Sequence, residues 1–157
     1  ILSYSSPYDQ YMQGDTNALS NSEKRGMSLF FLKQTNCSSC HSGFNFTNDS
    51  FANNGMFENY TDAGRWRITT DSSDYALFKI PTLRNIEFTA PYMHNGEIQK
   101  LNEVIERYNE GGSGFKTQDK RIKALSLSDE EKKDLVNFLK SLTDSSFINK
   151  DWQNEVL

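Results

Sequence analysis

Apolar residues recur at helical spacing in three segments of the chain. In the first, the apolar positions follow the i, i+3 and i+4 spacing of one helix face: Met27, Phe30 and Phe31. Ser20 followed by Glu23 forms a capping-box pattern, in which a hydroxyl and a carboxylate satisfy backbone N–H groups at a helix start. This segment predicts a helix that begins at Ser20 and continues to about Gln34.

The other two helical segments lie in the C-terminal half. One has the spacing i, i+3, i+4 and i+7 at Leu101, Val104, Ile105 and Tyr108. A glycine-rich stretch from Gly111 predicts its end. The last segment begins with a second capping box at Ser128 and Glu131, and its apolar face is formed by Leu135, Phe138, Leu139 and Leu142.

Two stretches lack helical periodicity. Residues 1–19 are rich in Ser, Tyr, Asn and Gln, and we expect an extended lead-in. Residues 42–78 contain Gly, Asn, Asp and Ser between isolated aromatics, which predicts a long irregular loop. Such long loops are uncommon in a compact domain unless they serve a function.

Composition narrows the function classes. The 157 residues carry a formal net charge of −4, with a pI near 5.2, which argues against nucleic-acid binding because nucleic-acid binders present basic faces. The sequence contains no run of 18 apolar residues, so it predicts no membrane-spanning helix. The apolar content is only 36%, but eleven Phe and seven Tyr suit a helical domain with long loops around a flat apolar cofactor.

The segment Cys37-Ser38-Ser39-Cys40-His41 predicts that cofactor. C-x-x-C-H is the attachment signature of c-type haem, in which two thiols form thioethers with the haem vinyl groups and the histidine binds iron. A zinc site would need more ligands, and the chain has only two Cys and two His. A thioredoxin-like pair would lie in a βαβ pattern, which this region lacks, and a disulfide would leave the histidine without a role. We therefore expect one covalent haem c in an all-α, cytochrome c-like helical domain with long loops.

Further segments resemble one family in the same order along the chain. They are Ser6-Pro7-Tyr8-Asp9, Gly14-Asp15, Ala18-Leu19-Ser20, Glu23-Lys24-Arg25-Gly26, the haem motif with Ser42-Gly43, Phe78 to Asn85, Thr89 to Gly96, Leu101 to Asn109, and the helix of residues 135–142. Together they resemble the C-terminal haem domain of the bacterial di-haem cytochrome c peroxidase and MauG family. The resemblance implies that residues 1–19 are an interdomain linker or lead-in and that 20–157 are the haem domain.

The resemblance also implies what lies outside this chain. The peroxidatic haem and its catalytic residues belong to an N-terminal half that the sequence does not contain, so we expect no catalytic residue here. Partners would be that second haem domain, a redox protein or small electron donor, and hydrogen peroxide in the full-length enzyme. Because c-type haem is normally attached outside the cytoplasm, we expect a periplasmic or otherwise extracytoplasmic location and an export signal in the precursor.

Several occupants of the sixth iron position remain open from the residues alone. Met93 would give a higher-potential electron-transfer haem, His94 a bis-His site, Tyr108 a low-potential phenolate site, and an empty position would admit peroxide. The resemblance implies Tyr108, because MauG-like members carry an axial Tyr at the aligned place, fourteen residues after His94. Tyr108 and Met93 would otherwise be packing residues.

Three further roles are expected. Arg84 would pair with a haem propionate or form an ordinary ion pair, and His94 would hydrogen-bond a propionate or the backbone. The resemblance implies a calcium ion bound by backbone oxygens of Thr89 and Pro91, with a third ligand from the missing half.

The leading function is electron transfer within a di-haem peroxidase or MauG-like oxidoreductase, the fragment alone having little peroxidase turnover. A stand-alone monohaem cytochrome c is the alternative, and a haem sensor with an open iron position is a third.

Overall fold

A computed structural model describes residues 3–148. Its helices are α1 (Pro7–Met12), α2 (Asn21–Phe31), α3 (Trp66–Thr69), α4 (Leu101–Glu110), α5 (Asp129–Lys140) and α6 (Ser145–Ile148). Short 3-10 turns cover Cys37–Ser39, Ser72–Asp74 and Ile86–Phe88. The strands in this part of the chain are β1 (Phe51–Ala52) and β2 (Phe78–Lys79), which pair antiparallel. The predicted all-α class is confirmed.

The core lies where α2 crosses α5 and α4 packs beside α5. Gly26 of α2 allows the close approach, because a Cβ atom there would overlap the backbone carbonyl of Asp134 in α5. Phe46 meets Phe30 and Phe138 edge to face near this crossing, and Phe30 and Phe138 are tilted at 53°, with ring centroids 5.2–6.3 Å apart. The core cluster consists of Phe30, Phe46, Leu83, Ile98, Leu101, Val104, Ile105, Leu135, Phe138, Leu139 and Leu142.

The three predicted long helices are confirmed with small changes at their ends. The capping boxes at Ser20 and Ser128 both form, with Glu23 and Glu131 closing them. α4 ends at the left-handed Gly111, with φ 89°. α2 ends at Phe31 rather than near Gln34, since Leu32 has an extended backbone and its carbonyl accepts the Thr35 hydroxyl at 2.9 Å.

The expectation that residues 1–19 are extended was wrong. Ser6 and Asp9 form a third capping box at the start of α1, with Pro7 as the first helical residue. Tyr8 then packs edge to face on Phe46 and Phe138, at centroid distances of 5.2 and 5.8 Å. α1 is therefore part of the packed domain, whatever precedes it.

The loop of residues 42–78 is irregular over most of its length, but it is anchored at several points. Its segments pair through β1 with β2 and through a bridge between Gly64 and Leu77, and a bridge from Asn53 to Gln118 connects it to the segment before α5. These contacts anchor the loop, and its first part is held to the C-x-x-C-H motif by the Asn48 N–H, which donates to the Cys40 carbonyl at 2.9 Å. The predicted C-terminal boundary at residue 157 lies outside the described residues.

Candidate haem site

The motif is displayed on a tight turn. Asn36 adopts the left-handed conformation, with φ 60°, and starts the 3-10 turn Cys37–Ser39. The N–H groups of Cys40 and His41 both donate to the carbonyl of Cys37, at 3.2 and 3.0 Å. Both cysteines are free and partly buried. The turn places two thiols and an imidazole within five consecutive residues, as thioether attachment requires.

His41 is held with one ring nitrogen committed to the protein. Its Nδ1 lies 3.0 Å from the carbonyl oxygen of Phe46, which can only accept, so Nδ1 carries the proton. Burial lowers the pKa of His41, although the carbonyls of Phe46 and Pro81 oppose the shift. A neutral imidazole with Nδ1–H bonded to a carbonyl offers Nε2 as a metal ligand, which is the usual arrangement of a ligating histidine.

The thiols are not poised as free nucleophiles. Burial raises the pKa of Cys37 to about 11, against the opposing effect of its hydrogen bond with Thr35. Burial also raises the pKa of Cys40, partly offset by Ser39 and Arg121. Reactive cysteines have lowered pKa values in electropositive surroundings, so this pair does not fit a redox-active dithiol.

Tyr108 and Met93 come together on the same side of the domain, although the sequence separates them. Both pack against the core cluster, as does Cys37. Burial raises the pKa of Tyr108 to about 12, a hydrogen bond from Asn54 opposes the shift, and the motif thiols act on the same hydroxyl. Asn54 also places its Nδ2 3.3 Å from the Met93 sulfur. The two principal candidates for the distal ligand therefore have Asn54 as a common neighbour and pack against the same core as Cys37.

Asn54 is a site residue that sequence reasoning did not identify. It lies in the irregular loop, three residues after the start of β1, without a motif around it. The only signal that could have found it is the Asn53-Asn54-Gly55 sequence, which indicates a specific turn but gives no hint of what the side chains contact.

His94 is exposed and belongs to an aromatic stack. Its ring is 3.9 Å from the ring of Phe78 with an interplanar angle of 19°, and it stacks less closely on Tyr60, at 5.6 Å. Partial desolvation in this stack lowers the pKa of His94, with Asp62 and Glu97 opposing the change. The expected propionate or backbone contact of His94 stays a prediction.

Arg84 is buried in an ion pair. Its Nη1 lies 2.6 Å from Asp9 Oδ2, and the two side chains are only 6% and 10% exposed. Its Nε donates to the carbonyl of Phe44 at 2.9 Å, and the guanidinium lies 4.4 Å from the Phe44 ring centroid. The side chain thus connects α1 to the loop that carries the acceptor for His41. Its expected propionate contact stays a prediction.

Thr89 and Pro91 are exposed and follow the 3-10 turn Ile86–Phe88. Among residues 3–148 no group of three or more His, Cys, Asp or Glu side chains could hold a metal ion. Backbone oxygens at these two positions are compatible with calcium but incomplete on their own, because calcium takes six to eight oxygen ligands. The calcium site stays a prediction.

The donor set fits a c-type haem. Two free thiols and an oriented imidazole lie on one turn, and a phenol and a thioether pack against the same core cluster as the Cys37 thiol. These are the thioether, proximal and distal groups found in c-type haem proteins. In the described part of the chain, no helix has the length and apolar character needed to cross a membrane.

Comparison with known proteins gives one consistent family. The cytochrome c family model matches residues 23–143. The methylamine utilization protein MauG of Methylorubrum extorquens is 36% identical, covering 90% of this chain and 40% of the relative. Cytochrome-c peroxidase IdrP1 of a Pseudomonas species is 32% identical, and the match covers 87% of this chain and 44% of the relative.

Solved structures of such proteins have the same fold as this chain. The crystal structure of a MauG-like protein associated with microbial copper homeostasis superposes with a TM-score of 0.89 and 33% identity, covering 95% of this chain and 55% of that one. The di-haem peroxidase BthA of Burkholderia thailandensis, at 23% identity and a TM-score of 0.72, shares the fold. The chain spans less than half the length of the curated relatives named here. This chain belongs to the cytochrome c family and, within it, to the group of di-haem cytochrome c peroxidases and MauG proteins, whose membership implies covalent haem c.

Proposed function

We propose that this chain is the electron-transfer haem domain of a periplasmic di-haem peroxidase or MauG-like oxidoreductase, and that it carries one haem c. The observation that carries the proposal is that His41 has its Nδ1 bonded to the Phe46 carbonyl, while Tyr108 and Cys37 pack against the same core. The likeness to MauG and cytochrome c peroxidases over nearly the whole chain supports it.

Each residue has a distinct part. Cys37 and Cys40 would hold the haem covalently, and His41, whose ring is fixed by the Phe46 carbonyl, would offer Nε2 to the iron. Tyr108 would offer its oxygen as a second iron ligand, and the negative charge of a phenolate would favour the ferric state and a low potential. The haem, when bound, supplies reversible one-electron chemistry. The protein orients His41 through the Phe46 carbonyl and shields Cys37 and Tyr108 from water by packing them against the core.

The remaining roles belong to the larger protein. The peroxide-reacting haem and its acid–base groups would be in a second haem domain of the same protein, with hydrogen peroxide as its substrate. A redox protein or small electron donor would deliver electrons. Calcium at Thr89 and Pro91 would need oxygen ligands from that second domain, so this domain alone binds it weakly. The isolated chain would transfer electrons but turn over little peroxide.

A stand-alone monohaem cytochrome c is the second candidate, and one observation favours it. The Met93 sulfur lies 3.3 Å from Asn54 Nδ2, and Met93 packs against the same core cluster as Tyr108 and Cys37. A Met ligand would raise the potential into the range of soluble electron carriers. The choice of distal ligand therefore separates the two functions.

Absorption spectra of the haem-loaded chain test this choice. We expect the ferric low-spin spectrum to persist in Met93→Leu and to become high-spin in Tyr108→Phe. A sulfur-to-iron charge-transfer band that disappears only in Met93→Leu would refute the Tyr108 assignment and favour the monohaem carrier. A pyridine haemochrome assay of each preparation confirms that one covalent haem is present before spectra are compared.

A further inference from the structure

Two Asn-Gly sequences of this chain lie in turns of the same kind. They are Asn54-Gly55 and Asn95-Gly96. In each, the asparagine Oδ1 accepts the backbone N–H two residues later, from Met56 in one turn and Glu97 in the other, at 3.3 Å in both. Both glycines have a left-handed backbone, with φ 67° and 71°. The two turns therefore differ in their surroundings rather than in their local chemistry.

That chemistry includes loss of the asparagine amide. The backbone nitrogen of the following residue, once it has given its proton to water or hydroxide, attacks the side-chain Cγ, and the bond from Cγ to Nδ2 breaks. Nδ2 takes up a proton from water and leaves as ammonia, and water then opens the succinimide ring to give aspartate or isoaspartate. A following glycine has no side chain to obstruct the attack, and an N–H bonded to Oδ1 stabilises the charge that develops there.

The surroundings of Asn54 oppose this reaction. The N–H of Gly55, which would have to lose its proton, donates a buried hydrogen bond to Asn53 Oδ1 at 2.8 Å. Asn53 is itself only 1% exposed, and its Oδ1 also accepts the Tyr60 hydroxyl at 2.7 Å. The leaving Nδ2 of Asn54 is held 3.3 Å from the Met93 sulfur. Attack at Asn54 therefore requires local opening of the loop first.

The surroundings of Asn95 leave the reaction unopposed. Its side chain is exposed, and the Gly96 N–H has only a long contact of 3.4 Å with the Met93 carbonyl. Within residues 3–148, the hydrogen bond of the Asn95 side chain is the one that its Oδ1 accepts from Glu97, so Nδ2 faces solvent. Water can thus reach both the attacking and the leaving nitrogen without opening the fold.

We propose that Asn95 is a site of spontaneous deamidation in the folded protein, where it is converted to aspartate and isoaspartate, and that the fold protects Asn54 from the same reaction. The inference goes beyond the proposed function and does not depend on it. The product adds one negative charge to a chain whose formal net charge is −4. The turn is closed by the Tyr92 N–H, which donates to the Ile98 carbonyl at 2.7 Å, so the new carboxylate stays on the segment that carries Met93.

Peptide mapping of the aged protein tests the proposal. The haem-loaded chain is incubated near neutral pH, folded and in parallel in concentrated urea, and the peptides that contain the two asparagines are quantified by mass spectrometry. Isoaspartate is detected by labelling with an isoaspartyl methyltransferase. The control variant is Asn95→Gln, because a glutamine would have to form a six-membered ring, which closes far more slowly.

We expect Asn95 to lose its amide at least about tenfold faster than Asn54 in the folded chain, because each factor of ten needs only 1.4 kcal/mol of protection by the loop. In urea the two rates should converge, since the local sequence is the same. Asn95→Gln should remove the isoaspartate label from the folded chain.

Three outcomes would overturn the proposal. Equal rates at the two asparagines in the folded chain would show that the contacts of Asn54 do not protect it. An amide at Asn95 that is lost in urea but kept in the folded chain would show that the turn is itself protective. A difference that persists unchanged in urea would mean that sequence, and not the surroundings, separates the two sites.

Discussion

Asp9→Ala is the substitution that best tests how α1 is attached to the domain. Asp9 Oδ2 accepts three hydrogen bonds, from Arg84 Nη1 at 2.6 Å, the Ser6 hydroxyl at 2.6 Å and the Ser6 N–H at 3.0 Å. The alanine variant removes all three and leaves the Arg84 guanidinium, which is 6% exposed, without its carboxylate. We therefore expect a loss of stability from the unpaired charge and from the broken cap.

The expected magnitude follows from burial. Removing one partner of a buried ion pair costs about 3–5 kcal/mol, because the remaining charge is desolvated without compensation. At this chain length, 1 kcal/mol corresponds to roughly 2–4 °C in Tm, so Tm should fall by roughly 6–20 °C, a range taken from the same scaling. The control is Asp49→Ala, which breaks a pair with Lys79 that is also short, at 2.8 Å, but joins side chains 69% and 58% exposed. Its cost should be below about 1 kcal/mol.

The effect should also depend on pH. Burial alone would raise the pKa of Asp9, but hydrogen bonds from Arg84 and Ser6 outweigh it, so the folded-state pKa lies below the ordinary value of 3.8. A lowered carboxyl pKa contributes stability that is complete above the unfolded-state value and is lost as pH falls through the folded-state value. The difference between wild type and Asp9→Ala should thus be constant from neutral pH to about 5 and shrink below 3.8.

The assay is urea unfolding of the haem-loaded proteins, followed by circular dichroism at several pH values. A penalty for Asp9→Ala no larger than that for Asp49→Ala would refute the argument, since it would show that burial adds nothing to this pair. A penalty that is the same at pH 3 as at pH 7 would refute the assignment of the effect to the ionised carboxylate.

Three further substitutions test the helical core by urea or thermal unfolding. Gly26→Ala should destabilise the fold by about 1–3 kcal/mol or more, because the new Cβ overlaps the carbonyl of Asp134. Ser28→Ala, at an exposed position of the same helix, should change the stability little. Equal losses of stability in the two variants would contradict the close crossing of α2 and α5. Phe138→Ala, at 0% exposure, should cost about 3–5 kcal/mol. Ser128→Ala should cost about 1 kcal/mol through loss of the α5 cap, and no cost would show that Glu131 caps the helix alone.

The helices were predictable where local chemistry determines them. Ser20 and Ser128 each precede a glutamate at the third helical position and an apolar face, and in the structure they are the N-capping residues of α2 and α5. The same pattern occurs at Ser6 with Asp9, but the six-residue helix that it starts has too few apolar positions to show a period. α1 exists because of tertiary contacts with Ser141, Arg84 and the core aromatics, none of which is local in sequence.

The candidate haem site was predictable only where its residues are adjacent in sequence. Cys37, Cys40 and His41 are adjacent in sequence, so the spacing alone predicts their chemistry. Asn54 contacts Met93 across a separation of 39 residues, through a loop without periodicity. A hydrogen bond of that kind depends on how the loop is anchored at Asn53 and Thr117, and no local pattern encodes it.

The two sides of the candidate haem site are held by different physical means. On the histidine side, the loop that carries Phe44 and Phe46 is fixed by the buried charge of Arg84, whose stabilising effect depends on an ionised Asp9. On the distal side, Asn54 is fixed through the neutral amide of Asn53 and the hydroxyls of Tyr60 and Thr117. Acid should therefore loosen the histidine side first, because only that anchor loses its charge as Asp9 is protonated.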